Sequence, residues 1–581
     1  MDHAIAVSAS LIASLVGGLF SLGILGAIVW LIVLAVRAPF VEADREKRVA
    51  EAARARKAEL QTQKQQAANA NLTYDGLQFP CGITTGILRS RGHFGAPPAG
   101  IENWMREPDL AQGLLTVGPP GTGKTLTAII PFVQWVAMVS SVGIFAPATK
   151  RDFADVLEFE IGSRRPGSAI YRVGPGFLRW NLMESLAPDA VAGFIRTVGE
   201  RKGGAADSTW SDAATSHAQS CSLLLWALTA GGTEPFIVSI EAREATEDAE
   251  AIEEAEYRFV YDFVSLHRLA NVQGEIWAEV SRHAKAQGAV LRARGDEDAA
   301  EQIEIALESR SLEFDDLADK TRSSVLMNIN SVLGPLVKNL ELRRTFATQT
   351  DVRLSNLDDG ATIILDIDMD AYRGSAEFLF MLAFEQFSGY ALRRMKHAPN
   401  YVAFIGDEFQ QYASERSVDF FALSRQAKIV PCLAFQTVSR LIAKVGKKEN
   451  AHAILSTFGS SLWFPTIDPE TLQFVTQVIG SADVERTSTS TAEGENRGDS
   501  RNTSLGSGGG GWGSSSGTST TTTTSMAQQQ RAVVDGLLMR TLKSNFPPRG
   551  SGGRATAQAV GFLRVGGKIV DDVVTMWGPS L

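Results

Sequence analysis

The chain has 581 residues, of which 44% are hydrophobic and 21% charged, and its formal net charge is −9. These proportions are ordinary for globular proteins and exclude a fully disordered, collagen-like or multi-span membrane protein. The acidic balance argues against a surface coated with DNA-binding charge, although it is compatible with a local basic patch or pore. The three cysteines lie far apart in the sequence, which excludes a disulfide scaffold and a cysteine zinc site. A reduced, cytoplasmic body fits best.

The first 36 residues predict a transmembrane anchor. Residues 4–36 contain no charged side chain, and about 20 helical residues suffice to cross a bilayer. A cleaved signal peptide is the alternative, but it would begin with basic residues, whereas this chain begins Met-Asp-His. Basic residues follow from Arg37 onward, so the positive-inside rule keeps the rest of the chain in the cytoplasm. Acidic and basic side chains are interleaved over residues 37–75, which predicts a solvated helical stalk.

A phosphate-binding loop is predicted between a short apolar strand at 113–117 and an apolar helical segment at 126–136. The pattern GxxxxGK[ST] occurs here in the strand–loop–helix context that it requires. Its members are Gly118, Pro119, Pro120, Gly121, Thr122, Gly123, Lys124 and Thr125. The glycines let backbone N–H groups face the phosphates, and the helix N-terminus adds its positive dipole. Lys124 is expected to reach the β- and γ-phosphates of ATP, and the Thr125 hydroxyl to hold Mg²⁺.

A nucleoside triphosphatase also needs a carboxylate at the end of another strand, and two apolar runs compete for this role. Residues 401–408 end in the adjacent acids Asp407 and Glu408, whereas residues 361–368 end in acids that alternate along the strand. The adjacent pair suits the chemistry better, because one acid can hold the Mg²⁺ shell while the next activates the attacking water. The simpler interpretation of the alternating acids is a solvated strand end. We therefore count Asp407 and Glu408, with Lys124, as catalytic candidates, and Asp407 also as a metal ligand beside Thr125.

Two polar residues downstream are further catalytic candidates. Arg425 lies on a predicted helix, from which an arginine can point at the nucleotide of a neighbouring subunit. Gln436 ends a predicted strand at 429–435, and a glutamine at such a tip can sense the γ-phosphate. Each is also compatible with a solvated side chain that has no catalytic role.

The order of these elements resembles the conjugation-type coupling proteins of type IV secretion systems, which are membrane-anchored hexameric ATPases. The resemblance covers most of the chain beyond about Cys81. It rests on the segments Ile129-Ile130-Pro131, 170–181, Asp407-Glu408-Phe409, Arg425 and Phe435-Gln436. The chain departs from the family pattern at Ala146, where the family has Asp before Pro-Lys. The residue sequence of its phosphate loop also resembles that of general AAA+ enzymes more than that of the family.

The resemblance implies an α/β fold: a RecA-like P-loop motor domain with an inserted all-α domain and an N-terminal transmembrane helix. The insertion agrees with a helical composition and little strand signal from about Asp189 to Leu342. Residues 486–530 are rich in Ser, Thr and Gly and cannot bury enough apolar surface to offset their ordering entropy, so we expect disorder there. The predicted divisions are an anchor at 1–36, a stalk at 37–75, a first motor part at 76–188, an all-α substrate-recognition domain at 189–345, a second motor part at 346–485, a disordered insertion at 486–530 and C-terminal motor strands at 531–581.

The function implied by the resemblance is ATP- and Mg²⁺-dependent transfer at the bacterial inner membrane. Such a homo-hexamer would recruit a relaxase with its single-stranded DNA to the components of a type IV secretion channel. Three alternatives stay open: a coupling protein that exports effector proteins, a membrane-tethered recruitment receptor whose nucleotide site controls assembly, and a membrane-bound AAA+ remodeler. The candidates for gripping a strand in the pore of the ring are Lys150, Arg151, Arg179 and Trp180. The acidic run 241–256 is either a solvated segment or a docking face for a basic partner.

Overall fold

The computed structural model describes residues 76–93, 95–203, 208–240, 255–347, 349–499, 514–548 and 551–580. All of them belong to one unit, Tyr74–Leu581. The predicted anchor at 1–36 and the predicted stalk at 37–75 lie outside the described residues. Among the helices that are described, none has the length and apolar character needed to cross a membrane.

A 12-stranded sheet runs through this unit. The strands are, in chain order, β1 Gln78–Thr84, β2 Glu102–Arg106, β3 Leu114–Val117, β4 Gly143–Ala148, β5 Ile170–Val173, β6 Phe236–Ile240, β7 Ala255–Phe259, β8 Thr362–Asp366, β9 Val402–Gly406, β10 Ile429–Phe435, β11 Ser460–Trp463, β12 Ser481–Asp499, β13 Ser514–Ala532, β14 Ser544–Asn545, β15 Arg554–Val565 and β16 Lys568–Ser580. Their order across the sheet is β2-β1-β16-β15-β11-β3-β10-β9-β4-β8-β5, and β14 pairs with β15. Neighbours from β11 to β5 are parallel, whereas β15, β16, β1 and β2 continue the sheet with antiparallel pairs.

Helices cover both faces of the parallel part. The α-helices of the described residues are, in chain order, α1 Ile87–Ser90, α2 Glu107–Leu110, α3 Ile130–Ala137, α4 Arg151–Arg164, α5 Pro188–Gly203, α6 Ser208–Leu228, α7 Phe263–Asn271, α8 Gly274–Ala293, α9 Glu297–Arg310, α10 Asp319–Lys338, α11 Leu340–Phe346, α12 Met369–Arg393, α13 Arg416–Ser424, α14 Val438–Val445, α15 Lys448–Thr457, α16 Pro469–Ile479 and α17 Gly536–Thr541. Two-sided burial explains why strands such as β9 and β10 are apolar at every position instead of alternating. The sequence expectation of an α/β protein is therefore met by a mixed sheet with a large parallel part.

Each strand of the parallel part contributes to two hydrophobic cores. Along β10, Val430 and Cys432 belong to the core that contains α3 and α4, while Ile429 and Leu433 belong to the core that contains α12. Successive side chains of a strand point to opposite faces, so this division follows from the pleat. The C-terminal strand β16 belongs to the same sheet, which places the end of the chain beside the first residues of the motor fold.

The inserted segment between β5 and β8 is not all-helical, which corrects the prediction for 189–345. It contains α5 to α11, but β6 and β7 form a two-stranded antiparallel sheet within it. The reason is visible in β6, where buried and exposed residues alternate strictly from Phe236 to Ile240, as in a half-buried strand. The remainder of the acidic run, 241–254, lies outside the described residues.

The segment 486–530, which was predicted to be disordered, contains paired strands in its described residues. Strands β12 and β13 pair in continuous antiparallel register from Ser481 opposite Ala532 to Asp499 opposite Ser514; residues 500–513, with Trp512, lie outside the description. The prediction weighed only the burial of apolar side chains. Threonine is β-branched and favours strands, and antiparallel pairing satisfies the backbone groups without a hydrophobic core.

Candidate functional site

The loop at 118–125 follows the central strand β3, which has β10 on one side and β11 on the other. Val117, the last residue of β3, stands in register with Phe435 and with Trp463. The N–H of Gly118 then donates to the carbonyl of Phe435 at 3.1 Å. The parallel strands of this sheet therefore end together, and the loop opens at their carboxyl edge, where α/β proteins place their ligands.

Two glycines of the loop have steric reasons to be glycine. A Cβ on Gly118 would lie 2.6 Å from Cβ of Phe464 on the segment after β11. Gly123 has φ +99°, a region that residues with a side chain rarely adopt. Its carbonyl accepts the N–H of Thr127 at 2.8 Å, which begins the helical turn Thr125–Ile129. The loop is thus a tight turn that leads directly into a helix N-terminus, as the motif requires.

Lys124 is buried, at 7% exposure. Its Nζ donates to the carbonyl oxygens of Gly118 and Pro119, so the ammonium group lies inside the loop. Burial lowers the pKa of Lys124, and the carboxylates Asp407 and Glu408 oppose that shift. The lysine and the two predicted acids therefore share one electrostatic environment at the carboxyl edge of the sheet.

Asp407 directly follows β9 and is half-buried. The pKa of its carboxyl group is raised to about 6, mainly by burial and then by the charge of Glu408, while the charge of Lys124 opposes the shift. One carboxylate oxygen accepts the N–H of Glu408 at 3.1 Å. A carboxylate with a raised pKa next to a buried lysine is a typical feature of a functional site.

The Glu408 side chain is held by two amides. Its backbone is left-handed, with φ +49°, which costs about 1–2 kcal/mol for a residue with a side chain. Gln436 donates from Nε2 to Oε2 of Glu408 at 3.0 Å, and Gln410 donates to the same oxygen. Gln410 is buried at 2% exposure and was missed from the sequence. The sequence offers no signal that distinguishes Gln410 from the adjacent Gln411.

Thr125 and Asp407 fit a magnesium site in their chemistry. Both supply oxygen, the donor that Mg²⁺ prefers, and Mg²⁺ commonly takes only one or two protein ligands while keeping waters and phosphate oxygens. Thr125 is half-buried at the start of the helix after the loop. No cluster of three or more His, Cys, Asp or Glu residues that could hold a metal ion occurs within the described ranges.

Arg425 lies away from this chain's own loop. It is exposed and directly follows α13, and its carbonyl accepts the N–H of Lys428 one residue before β10 begins. The pKa of Tyr401, the residue before β9, is raised by burial and lowered by the charge of Arg425. Arg425 therefore lies at the amino ends of β9 and β10, the edge opposite to Gln436.

The competing run at 361–368 has a structural role, and its interpretation as a solvated strand end was wrong. Asp366 is 3% exposed and accepts two hydrogen bonds from Arg172, from Nε at 3.0 Å and from Nη2 at 2.7 Å. Asp368 caps α12 by accepting the N–H groups of Asp370 and Ala371. Both acids already have partners, which leaves Asp407 and Glu408 as the acids that face the loop.

Trp180, expected to face a pore, is buried at 4% exposure and packs edge-on against Phe145. The exposed aromatic ring of this turn is instead Phe177, at 42% exposure. Arg179 is exposed and forms an ion pair with Asp351 at 2.8 Å.

Lys150 and Arg151, the other two pore candidates, are exposed at the start of α4. The charge of Lys150 lowers the pKa values of both Lys124 and Asp407. Lys150 therefore lies close enough to the phosphate loop to act on it electrostatically.

The sheet and the loop define a P-loop protein of the α/β class. Residues 401–541 match the family model described as the TraM recognition site of TraD and TraG. This segment contains Asp407, Glu408, Arg425 and Gln436. The match confirms the resemblance to the type IV coupling protein family that the order of motifs predicted.

Solved structures give distant matches. The chain is similar to the bacterial conjugative coupling protein TrwBΔN70 in its unbound monoclinic form, with 11% identity, a TM-score of 0.46 and coverage of 84% of this chain and 88% of that chain. TrwB in complex with ADP and Mg²⁺ matches at 12% identity and a TM-score of 0.46, covering 87% of this chain and 96% of that one. VirB4 of Thermoanaerobacter pseudethanolicus matches at 12% identity and a TM-score of 0.35, covering 70% and 88%. A search of curated protein sequences gave no significant match.

Proposed function

We propose that this chain is an inner-membrane-anchored ATPase coupling protein. It recruits relaxase-bound DNA, or a protein substrate, to a type IV secretion channel and drives transfer by ATP hydrolysis. The observation that carries the proposal is that β3 and β9, both paired with β10, place the phosphate loop and the acids at one edge of the sheet, where Asp407 and Glu408 act on the charge of Lys124. Residues 401–541 of the same chain match a coupling-protein family model.

Each residue of the site has a distinct task in this proposal. The backbone N–H groups of the loop and the Lys124 ammonium group bind the phosphates of ATP. Thr125 and Asp407 hold Mg²⁺, which supplies positive charge against the phosphate oxygens. The Glu408 carboxylate accepts a proton from the attacking water. Gln436 and Gln410 fix the direction of that carboxylate through their two hydrogen bonds.

The assembly is part of the proposal. In a homo-hexamer, Arg425 of one subunit would complete the nucleotide site of the next, since it lies away from the loop of its own chain. The family model names TraM as what TraD and TraG recognise, and we extend this to a relaxosome-type partner for the segment 401–541.

The test uses the full chain reconstituted in lipid, with ATP hydrolysis measured with and without single-stranded DNA. Lys124→Ala should lose nucleotide binding and hydrolysis together. Glu408→Gln should retain binding and lose about 10²- to 10⁴-fold in turnover, the usual contribution of a general base. Lys320→Ala, an exposed lysine on α10, is the matched control and should behave like the wild type.

The outcomes separate the alternatives. The same two variants are also assayed for DNA transfer between cells, where full transfer by both would refute the motor and favour a recruitment receptor. Hydrolysis that DNA stimulates strongly supports DNA as the cargo, whereas hydrolysis that responds only to a bound effector protein indicates protein export. Wild-type turnover in Glu408→Gln would contradict the assignment of the base.

A further inference from the structure

The C-terminal hairpin forms one wall of the phosphate loop. Strand β16 packs along the helical turn that follows the loop, and the approach is close: a Cβ on Gly578 would lie 2.6 Å from the carbonyl oxygen of Leu126. Ala557 of β15 approaches the loop itself, 3.1 Å from where a Cβ on Gly123 would be. Residues more than 400 positions away in sequence therefore flank Gly123 and the first turn of the helix.

An aromatic ring lies at this wall. Phe546 follows the short strand β14, whose residue Asn545 pairs with Thr556 of β15. The tip of the Phe546 ring points at the loop, since a Cβ on Gly123 would lie 2.8 Å from its Cζ. The following residue, Pro547, packs against Gly553 so closely that a Cβ there would come within 2.9 Å of it. The backbone of β14 and the proline thus fix the ring beside the loop.

Phe546 keeps a free surface. It is 38% exposed, and within the described ranges no second aromatic ring stacks on it. Burying an aromatic side chain stabilises a protein, so a phenylalanine that lies against the loop and is left partly open is suited to contact a ligand. In a P-loop the backbone N–H groups bind the α- and β-phosphates. The ribose and base attached to the α-phosphate must then extend past the elements that flank the loop.

We propose that Phe546 is a nucleotide-binding residue that stacks on the base of the bound purine nucleoside triphosphate. This inference rests on the proposed nucleotide site. Stacking uses the face of the base and not its edge, so Phe546 accepts adenine and guanine alike. Position 123 would then require glycine for two reasons: its backbone angle, and the displacement of the Phe546 ring that a side chain would cause.

The test measures equilibrium binding to the full chain by calorimetry with two probes, ATP and inorganic tripolyphosphate. An aromatic contact to a base is worth about 1–3 kcal/mol, so Phe546→Ala should weaken ATP binding about 5- to 150-fold. Tripolyphosphate has no base and should bind the variant as it binds the wild type. Phe546→Trp should restore ATP affinity.

Trp577→Ala is the matched control. Trp577 is 39% exposed on the same hairpin, but its neighbour Met576 belongs to the core on the loop side, so Trp577 points to the other face. This variant should bind ATP normally.

The failures are distinguishable. Unchanged ATP affinity in Phe546→Ala, or an equal loss of ATP and tripolyphosphate, would overturn the role of Phe546 while leaving the loop in place. A wild-type chain that binds neither probe would refute the proposed function itself, and this inference with it.

Discussion

Gln436 is expected to act through Glu408 and not directly on the nucleotide. Its amide donates to Oε2 of Glu408 at 3.0 Å, and Gln410 donates to the same oxygen. A hydrogen bond to a charged group contributes about 1.5–3 kcal/mol. If the Glu408 carboxylate must keep the orientation that these hydrogen bonds give it in the transition state, loss of the Gln436 bond costs about 10- to 150-fold in turnover. The remaining bond from Gln410 places the expected result toward the lower end.

The assay for Gln436→Ala is steady-state ATP hydrolysis together with direct nucleotide binding. We expect kcat to fall about tenfold with unchanged affinity, and we expect little further loss when the substitution is added to Glu408→Gln, since the two residues act as one unit. Gln426→Ala, an exposed glutamine at the other edge of the sheet, is the control. The reasoning is refuted if Gln436→Ala weakens nucleotide binding at constant kcat, because that result belongs to a sensor that touches the γ-phosphate.

Two further predictions concern stability. Arg165 is 5% exposed and its guanidinium donates to five backbone carbonyls around the end of α3. The carbonyls of Val136 and Val139 also accept backbone N–H groups, but Arg165→Ala removes all five arginine bonds and should cost about 4–5 kcal/mol in denaturant unfolding. Arg164→Ala, which loses one part-buried ion pair with Glu160, should cost clearly less, and equal midpoints for the two variants would contradict this. His217 is buried, and burial together with the charge of Arg310 lowers its pKa from 6.5 to about 3. Below pH 6.5 the histidine is therefore protonated in the unfolded chain but stays neutral in the folded one. The free energy of unfolding consequently falls as the pH is lowered from 6.5 towards 3. The expected loss is about 2 kcal/mol at pH 5; hydrogen exchange in α6 should show it, and a His217→Gln chain with the same pH profile would refute the assignment.

The pattern of the phosphate loop and the pair of acids after β9 can be recognised in the sequence because each pattern is local. A glycine-rich turn between an apolar strand and a helix, and a pair of acids at the end of an apolar run, are patterns of a few residues each. The hydrogen bonds from Gln410 and Gln436 to Glu408 could not be predicted from the sequence. They depend on β9 and β10 being neighbours in the sheet and on a left-handed backbone at Glu408. Phe546 was missed for the same reason: more than 400 residues separate it from Gly123, and only the fold of β14 to β16 brings them together.

The choice between the two acidic strand ends shows what decides function in such a fold. Both β8 and β9 are buried parallel strands that end in acids at the same edge of the sheet. Asp366 is neutralised by Arg172, whose other nitrogen is occupied by Asp155 and Glu158. Asp407 has instead two lysines as its nearby positive charges, Lys124 of the phosphate loop and, with a smaller effect, Lys150. The countercharge of Asp366 thus comes from Arg172 on the neighbouring strand β5, whereas the main countercharge of Asp407 comes from Lys124 in the phosphate loop. A carboxylate that has only longer-range countercharges, as Asp407 has, can still take up a metal ion, whereas Asp366 is already paired with an arginine inside the fold.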